Sequence, residues 1–158
     1  GTEANLSFAT SVELSTGTFM ILGGATYRDG ALQTPNRENS YYYLAASETH
    51  VRAAMLPEGT QGLLVSAARL SAGRRLLLAG GFADLGLDEP RQAYTLFDDA
   101  SDAFSPPALL PGLSGALSVA PAGANQALMM GGVKSCPSCD GGLETLLGGA
   151  VFASAEDH

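Results

Sequence analysis

The chain has 158 residues, of which 46% are hydrophobic and only 15% are charged; this composition excludes a disordered polar segment and predicts a packed domain. The formal net charge of −8 disfavours nucleic acid and anionic membranes as partners, because binding either of them needs Lys and Arg to neutralise phosphate groups. No run of residues approaches the ~20 consecutive apolar positions of a membrane-spanning helix, so no membrane span is expected.

The first third of the chain predicts a series of short strands. An apolar run opens at Leu6, a turn contains Gly17, and a second run over residues 19–22 ends in Gly23 and Gly24. A polar stretch, a run with three consecutive Tyr residues, an acidic turn and a Leu-Pro step follow. The apolar runs last four to six residues and lack helical periodicity, which favours strands joined by glycine turns.

The same order of features recurs twice further along the chain. A second apolar run ends in Gly80 and Gly81, 57 positions after the first pair, and a third ends in Gly131 and Gly132, 51 positions later. The repeat divides a single domain, 1–158, into units of approximately 5–61, 62–114 and 115–158. Four strands in about 50 residues is the size of a propeller blade.

This repeated pattern resembles the Kelch repeat, in which an apolar run ends in Gly-Gly and a Tyr-containing strand and an acidic turn follow. The Trp that usually follows the acidic turn is absent, and Val51 and Phe104 stand in its place. The resemblance implies an all-β, Kelch-type propeller, most often a protein-interaction module. Its glycine pairs are expected to be structural, where strands end near the crowded centre of the ring.

Three blades are too few to close a ring, since propellers have typically four to eight. An arc would expose two sheet faces and unpaired strand edges. We therefore expect about three four-stranded blades that another chain or further copies of this chain complete, with a homo-oligomer as one possibility. The last unit ends before a further Leu-Pro step, so its blade is expected to be incomplete. The first strand, around Leu6 to Val12, is a candidate for completing it.

Cys136 and Cys139 form a CxxC pattern, which is typical of a local disulfide, a redox pair or half of a zinc site. A second CxxC is absent and the chain has two His residues, so we predict a disulfide and no metal or cofactor site. A disulfide favours an extracellular or periplasmic location, with the cytoplasm as the alternative.

The variable segments after the glycine pairs, 25–40, 82–92 and 133–142, are predicted to form one partner-binding face. The candidate residues there are Arg28, Asp29, Arg37, Asp84, Asp88 and Arg91. In the Tyr run, strand alternation sends Tyr42 to the face opposite Tyr41 and Tyr43. At least one of these rings is expected to pack between blades, and the others to offer an aromatic contact surface.

No catalytic constellation is evident in the sequence, because neither a nucleophile motif nor a set of metal ligands accompanies His50. The sequence therefore predicts a non-enzymatic protein-interaction or scaffolding module within a larger propeller. Two alternatives remain open. The chain is a structural subunit of an extracellular or surface assembly, or it is part of a propeller enzyme or carbohydrate-binding protein whose active residues lie in other blades.

Overall fold

The computed structural model describes residues 6–15, 17–70, 75–110, 112, 114–123, 125–139, 142–146 and 148–153. Within these ranges every regular element is a β-strand, and all the strand pairs are antiparallel. Within the same ranges, no helix is long and apolar enough to cross a membrane. The all-β prediction is therefore confirmed.

The first unit contains the strands that form blade 1 and a small accessory sheet. They are β1 (Leu6–Ser7), β2 (Thr10–Ser15), β3 (Thr18–Leu22), β4 (Ala25–Arg28), β5 (Ala31–Leu32), β6 (Ser40–Leu44) and β7 (Thr49–Arg52). Blade 1 is a four-stranded sheet in the order β2-β3-β6-β7, and the accessory sheet has the order β1-β4-β5. The blade is thus a meander of neighbouring strands, as short strands joined by tight turns favour.

The second unit forms blade 2 with the same meander. Its strands are β8 (Ser66–Leu70), β9 (Arg75–Ala79), β10 (Ala93–Asp98), β11 (Ala103–Phe104) and β12 (Ala108–Leu109). The sheet has the order β8-β9-β10-β11, and β12 also pairs with β10 at the other end of that strand. The outer position of this blade is therefore filled by two short strands, separated at Ser105 and two Pro residues that lack the N–H of a ladder bond.

The third unit forms blade 3 and a separate hairpin. Its strands are β13 (Leu117–Gly123), β14 (Gln126–Gly131), β15 (Val133–Ser135), β16 (Leu143–Thr145) and β17 (Gly149–Ala153). Among the described strands, blade 3 has the order β13-β14-β17, and β15 pairs with β16 in a separate two-stranded sheet. In the described residues this blade has three strands where blade 1 has four.

The blades lie side by side around their first strands. Strand β8 contacts β2 on one side and β13 on the other, so the three first strands line the inside of an arc. The chain is consequently a partial β-propeller. Strand β2 is the inner strand of blade 1, so the expectation that the segment from Leu6 to Val12 completes the last blade is wrong: Thr10 onward pairs with β3, and Leu6 pairs with Thr26.

Apolar side chains fill both blade interfaces. Between blades 1 and 2, Phe97 is fully buried with its ring 6.3 Å from that of Tyr42 and 4.9 Å from that of Phe104. Burying one such ring contributes roughly 1.5–3 kcal/mol. The buried side chains between blades 1 and 2 are Leu14, Met20, Leu22, Ala53, Leu56, Val65, Leu76, Leu78 and Phe97, and those between blades 2 and 3 are Leu70, Leu77, Ala79, Leu110, Leu117, Ala127 and Met129.

Candidate functional site

The glycine pairs join each blade to the next. The Gly24 N–H donates to the carbonyl of Gly62, before the first strand of blade 2, at 2.7 Å. The Gly81 N–H donates to the carbonyl of Gly115, before the first strand of blade 3, at 2.9 Å. All six pair glycines have positive φ, from 69° to 109°, the region that glycine occupies without steric cost. Positions 23, 24, 80, 81, 131 and 132 therefore have an architectural role at the strand ends.

The segments that follow the glycine pairs meet at one end of the arc. Ala25, Phe82 and Val133 follow the three pairs directly, and all three belong to one apolar cluster that also contains Leu63. Leu32, Leu87 and Leu143 pack around it. We call this end the loop face and define it as the described residues of 25–39, 82–92 and 133–146.

The first segment of the loop face is a hairpin rather than an irregular loop. Strands β4 and β5 are joined by Asp29 and Gly30, whose φ angles are 53° and 81°, as a two-residue primed hairpin turn requires. Arg28 and Asp29 are exposed at its tip. The side chain of Asn39 is buried and donates to the carbonyl of Gly24 at 2.7 Å, which ties the end of this segment to its glycine pair.

The second segment is organised by Asp84. Its carboxylate accepts hydrogen bonds from the backbone N–H groups of Gly86 at 2.8 Å, Asp88 at 3.1 Å and Glu89 at 2.9 Å. Burial acts to raise the pKa of Asp84, but these backbone hydrogen bonds outweigh it and the pKa is lowered. Asp84 therefore shapes this turn, while the carboxylate of Asp88 stays exposed at its surface.

Arg37 and Arg91 occupy equivalent positions in blades 1 and 2. Gly23 donates to the carbonyl of Asn39 and Gly80 to that of Ala93, and each Arg lies two residues before that acceptor. The Arg37 Nε donates to the carbonyl of Leu56 at 2.7 Å. The Arg91 Nε is buried and has no hydrogen-bond partner within the described part of the chain.

The sequence analysis names Arg37 and Arg91 as candidates but does not identify the equivalence of their positions in the repeat. The signal that could have found it is the 54-residue offset between the Leu-Pro steps at Leu56 and Leu110, which is also the offset between the two Arg residues. The backbone of Arg91 is fixed at the junction of blades 2 and 3, because its N–H donates to Gly81 and its carbonyl accepts from Gly115.

The third segment is the hairpin β15–β16, closed by a disulfide between Cys136 and Cys139. The predicted disulfide is thus confirmed. The N–H of Cys139 donates to the carbonyl of Cys136 at 2.9 Å, and Lys134 and Glu144 form a salt bridge of 3.1 Å across the two strands. Glu144 also lies near both sulfur atoms, but thiolates are the metal-binding form of cysteine and these sulfurs are bonded to each other.

The Tyr run divides between two surfaces, as strand alternation predicts. Tyr42 lies at the interface with blade 2, where its hydroxyl donates to Asp102 at 2.8 Å. Tyr41 and Tyr43 lie on the other face of blade 1. There the guanidinium of Arg52 lies 5.9 Å from the Tyr41 ring, and the His50 ring lies 5.0 Å from that of Tyr43.

No protein-family model and no curated protein matches this chain. Among solved structures, it is similar to YjhT, with a TM-score of 0.62 and 12% identity over 97% of this chain and 53% of that one. It is also similar to a fungal alcohol oxidase of the AA5 family in complex with copper, with a TM-score of 0.65 and 16% identity over 84% of this chain and 28% of that one. These neighbours are of the propeller type and show the fold alone.

The chain spans about half the length of YjhT and less than a third of the oxidase. Copper binds preferentially to imidazole and thiolate ligands. The described residues contain one imidazole, that of His50, which lies exposed against Tyr43 on the face of blade 1 that points away from blade 2. The group of possible metal ligands within the described residues lies elsewhere, in the β15–β16 hairpin, and contains the oxidised Cys pair. The described residues therefore do not fit a copper centre like that of the oxidase.

Proposed function

We propose that this chain is a non-enzymatic protein-binding segment of a larger, Kelch-type propeller, in which the loop face contacts the partner. The observation that carries this proposal is the convergence of three different segments on one apolar cluster. A hairpin, an Asp84-capped turn and a disulfide hairpin all follow equivalent glycine pairs, and each contributes apolar side chains to the cluster that contains Leu63. A constant frame that presents dissimilar segments on one side is typical of a recognition surface.

The chemistry of the loop face suits a protein partner. Arg28 and Asp88 are exposed and carry opposite charges, and the Arg37 and Arg91 guanidiniums lie at equivalent blade junctions. Guanidinium groups bind carboxylates and backbone carbonyls through several donors at once, and they are enriched at protein interfaces. The exposed ring of Tyr27 adds an apolar contact beside Arg28, as in many interfaces with mixed polar and aromatic composition.

The test is affinity capture from the source extract with the wild-type chain and matched variants, followed by reconstitution with the purified captured protein. Arg28→Ala and Asp88→Ala alter exposed loop-face side chains and are expected to weaken binding at least about tenfold if they contact the partner. Glu48→Gln, in the turn between β6 and β7 at the opposite end of blade 1, serves as the control and is expected to bind like the wild type.

Equal binding of all three variants would remove the loop face from recognition. Retention of a partner by the Glu48→Gln variant and its loss in both loop-face variants would support the proposal. The disulfide supports an extracellular or periplasmic location as part of this proposal, because such a bond persists in an oxidising compartment.

A second candidate is that the chain is a non-catalytic part of a propeller enzyme. The likeness to the copper-containing alcohol oxidase favours it. Under this candidate the reactive groups lie in other blades, so the chain alone is expected to bind no stoichiometric copper in equilibrium dialysis. Recovery of an oxidase activity when the chain is combined with a co-purifying polypeptide would favour the enzyme over the binding module.

A further inference from the structure

Arg91, at the end of the second loop-face segment, carries a buried hydrogen-bond donor without an acceptor. Its Nε atom is shielded from solvent, and its guanidinium makes no hydrogen bond or ion pair within the described residues. Nearly all buried polar groups in native proteins have a partner, because a buried N–H without one has lost its hydrogen bond to water. An unmet donor on the loop face is therefore a feature that a bound group would explain.

Arg37, the equivalent residue of blade 1, shows how the chain satisfies this donor elsewhere. Its Nε donates to the carbonyl of Leu56 at 2.7 Å. The counterpart of Leu56 in blade 2 is Leu110, because both begin the Leu-Pro steps that lie 54 residues apart. The Leu56 N–H donates to the carbonyl of Arg37, whereas the Leu110 N–H donates to that of Gln92. The Leu-Pro step of blade 2 is thus displaced by one residue relative to its Arg, and Arg91 lacks the carbonyl that serves Arg37.

The backbone of Arg91 is held in place at the junction of blades 2 and 3. Its N–H donates to the carbonyl of Gly81 at 2.8 Å, and its carbonyl accepts from the N–H of Gly115 at 3.0 Å. Gly81 and Gly115 are themselves joined by a hydrogen bond of 2.9 Å, so both neighbours of Arg91 belong to this chain and are fixed. Because folding already orders this backbone, a ligand that binds here pays a smaller ordering cost.

The surroundings of Arg91 select among the groups that a guanidinium binds. The residue as a whole is partly exposed, so a ligand on the loop face can reach it. A guanidinium presents its donors in one plane and pairs with the oxygens of a carboxylate or a phosphate. The turn before Arg91 carries the carboxylates of Asp84, Asp88 and Glu89, and the last two are exposed. Their charges oppose a doubly charged phosphate more strongly than a singly charged carboxylate.

We propose that Arg91 anchors a carboxylate group of the molecule that binds the loop face. The carboxylate accepts hydrogen bonds from the Arg91 guanidinium and takes the part that the Leu56 carbonyl has at Arg37. Two sources share this chemistry, an Asp or Glu side chain of a protein partner and a free monocarboxylic acid. The inference rests on the proposed function for the position of the ligand, and it adds the group that the ligand presents there.

The first test is the binding of acetate to the purified chain, followed through the side-chain Nε–H signals of its Arg residues in ¹H–¹⁵N NMR spectra. Sodium acetate is expected to move the Arg91 signal along a saturable curve, and sodium chloride at equal ionic strength to leave it in place. Inorganic phosphate is expected to move it less than acetate does. Arg37 is the matched control in the same sample, because its Nε–H already donates to Leu56.

Arg91→Lys assigns the signal, since it removes that Nε–H and keeps the charge. An Arg91 signal that responds to acetate no more than to chloride, or no more than the Arg37 signal does, would overturn the proposal. A larger response to phosphate than to acetate would overturn the choice of carboxylate.

The second test identifies the source of the carboxylate by measuring how Arg91→Gln binds the captured partner protein. Arg69→Gln is the control, because it removes the same charge from an exposed position on β8, outside the loop face. If the partner supplies the carboxylate, Arg91→Gln is expected to weaken binding at least about tenfold, and Arg69→Gln to leave it unchanged. If Arg91→Gln binds the partner normally while acetate moves the Arg91 signal, the site belongs to a free monocarboxylic acid. Circular dichroism verifies that each variant is folded.

The carboxylate site and the protein-binding function fail in different ways. If Arg28→Ala and Asp88→Ala lose the partner but acetate leaves the Arg91 signal unmoved, the loop face remains a binding surface and the carboxylate site is wrong. If acetate moves the Arg91 signal and no loop-face variant affects a protein partner, the carboxylate site stands and the protein-binding function is wrong.

Discussion

Gly80 and Gly131 stand at the same position in successive blades, but their surroundings differ. Both have a left-handed backbone, with φ of 69° and 72°. A Cβ atom on Gly80 would collide with the carbonyl oxygen of Gly115 and contact the Leu117 side chain, which both belong to the next blade. Among the described residues, a Cβ on Gly131 would meet the Leu146 carbonyl alone, at 3.9 Å.

This contrast separates two roles of the glycine pair. The positive φ is a property of the strand end and recurs in every blade, whether or not a successor is present. At the first glycine of the pair, the lack of space arises from the next blade, because a Cβ on Gly80 would meet Gly115 and one on Gly23 would meet Gly62. The second glycine is crowded by the entry to its own blade, as Gly132 is by the carbonyl of Ser114. The first glycines therefore share their local backbone and differ in what covers them.

The largest expected effect is the difference in unfolding free energy between two Leu→Ala variants, one at Leu77 and one at the equivalent Leu128. Leu77→Ala empties a fully buried site and should cost about 2–5 kcal/mol of unfolding free energy. Leu128→Ala lies on the face of blade 3 that points away from blade 2, where the side chain is only partly buried, and should cost less than half as much. Urea denaturation of both variants measures this difference.

The comparison between these two positions depends on what covers each side chain. Leu77 packs against Leu117, Ala127 and Met129 of blade 3, whereas Leu128 points away from blade 2. Equal losses in the two variants would show that the two environments are not different.

The next effect concerns the glycines themselves. Gly131→Ala should cost about 1–2 kcal/mol, the steric penalty of a left-handed L-residue. Gly80→Ala should add about 1–3 kcal/mol to that penalty, because its methyl group displaces blade 3. Thermal unfolding of the two variants gives the comparison, and a Gly131 variant as unstable as the Gly80 variant would contradict it.

The sequence predicted the blades better than the loops. Glycine pairs at regular spacing and short apolar runs sufficed for the strands of blades 1 and 2, because turn chemistry and alternation are local. The sequence predicts only variable stretches after the pairs, yet 25–39 contains β4 and β5 and 133–146 contains β15 and β16. These hairpins depend on contacts with the cluster around Leu63, which no single segment encodes.

The positions that replace the usual Trp show the same limit. The repeat pattern equates Val51 with Phe104, but Phe104 packs on Phe97 at 4.9 Å while Val51 is 48% exposed. The strand registers show that the two positions differ. Phe104 pairs with Phe97, whose equivalent in blade 1 is Tyr43, and Tyr43 pairs with His50, so the structural counterpart of Phe104 is His50 and Val51 lies one position further along.

A smaller and local effect is expected from the disulfide. Its removal in the double variant Cys136→Ser and Cys139→Ser opens a loop of four residues, for which the chain-entropy estimate is about 2 kcal/mol. Since β15 pairs only with β16, this loss should stay within the hairpin and leave the blades intact. Hydrogen exchange should accelerate at Lys134 and Glu144, and equal acceleration in β9 would contradict the separation of hairpin and blades.

The smallest effect is expected in the turn that follows Gly80 and Gly81. The carboxylate of Asp84 fixes this turn, whereas a disulfide fixes the β15–β16 hairpin. The folded-state pKa of Asp84 is lowered, so its stabilising contribution is present above the unfolded value of about 3.9 and is lost as pH falls through the folded pKa. Asp84→Asn should remove this pH dependence and cost less than about 1 kcal/mol after solvent screening.

Amide resonances followed from neutral pH to about pH 2 measure this effect. In the wild type, the N–H signals of Gly86 and Glu89 should move together as the Asp84 carboxylate that they bind takes up a proton. Asp88→Asn, in the same turn, should leave that titration in place, because the backbone N–H of Asp88 still donates to Asp84. If both amides still titrate together in the Asp84→Asn variant, another group holds the turn, and the contrast between a charge-held and a disulfide-held segment fails.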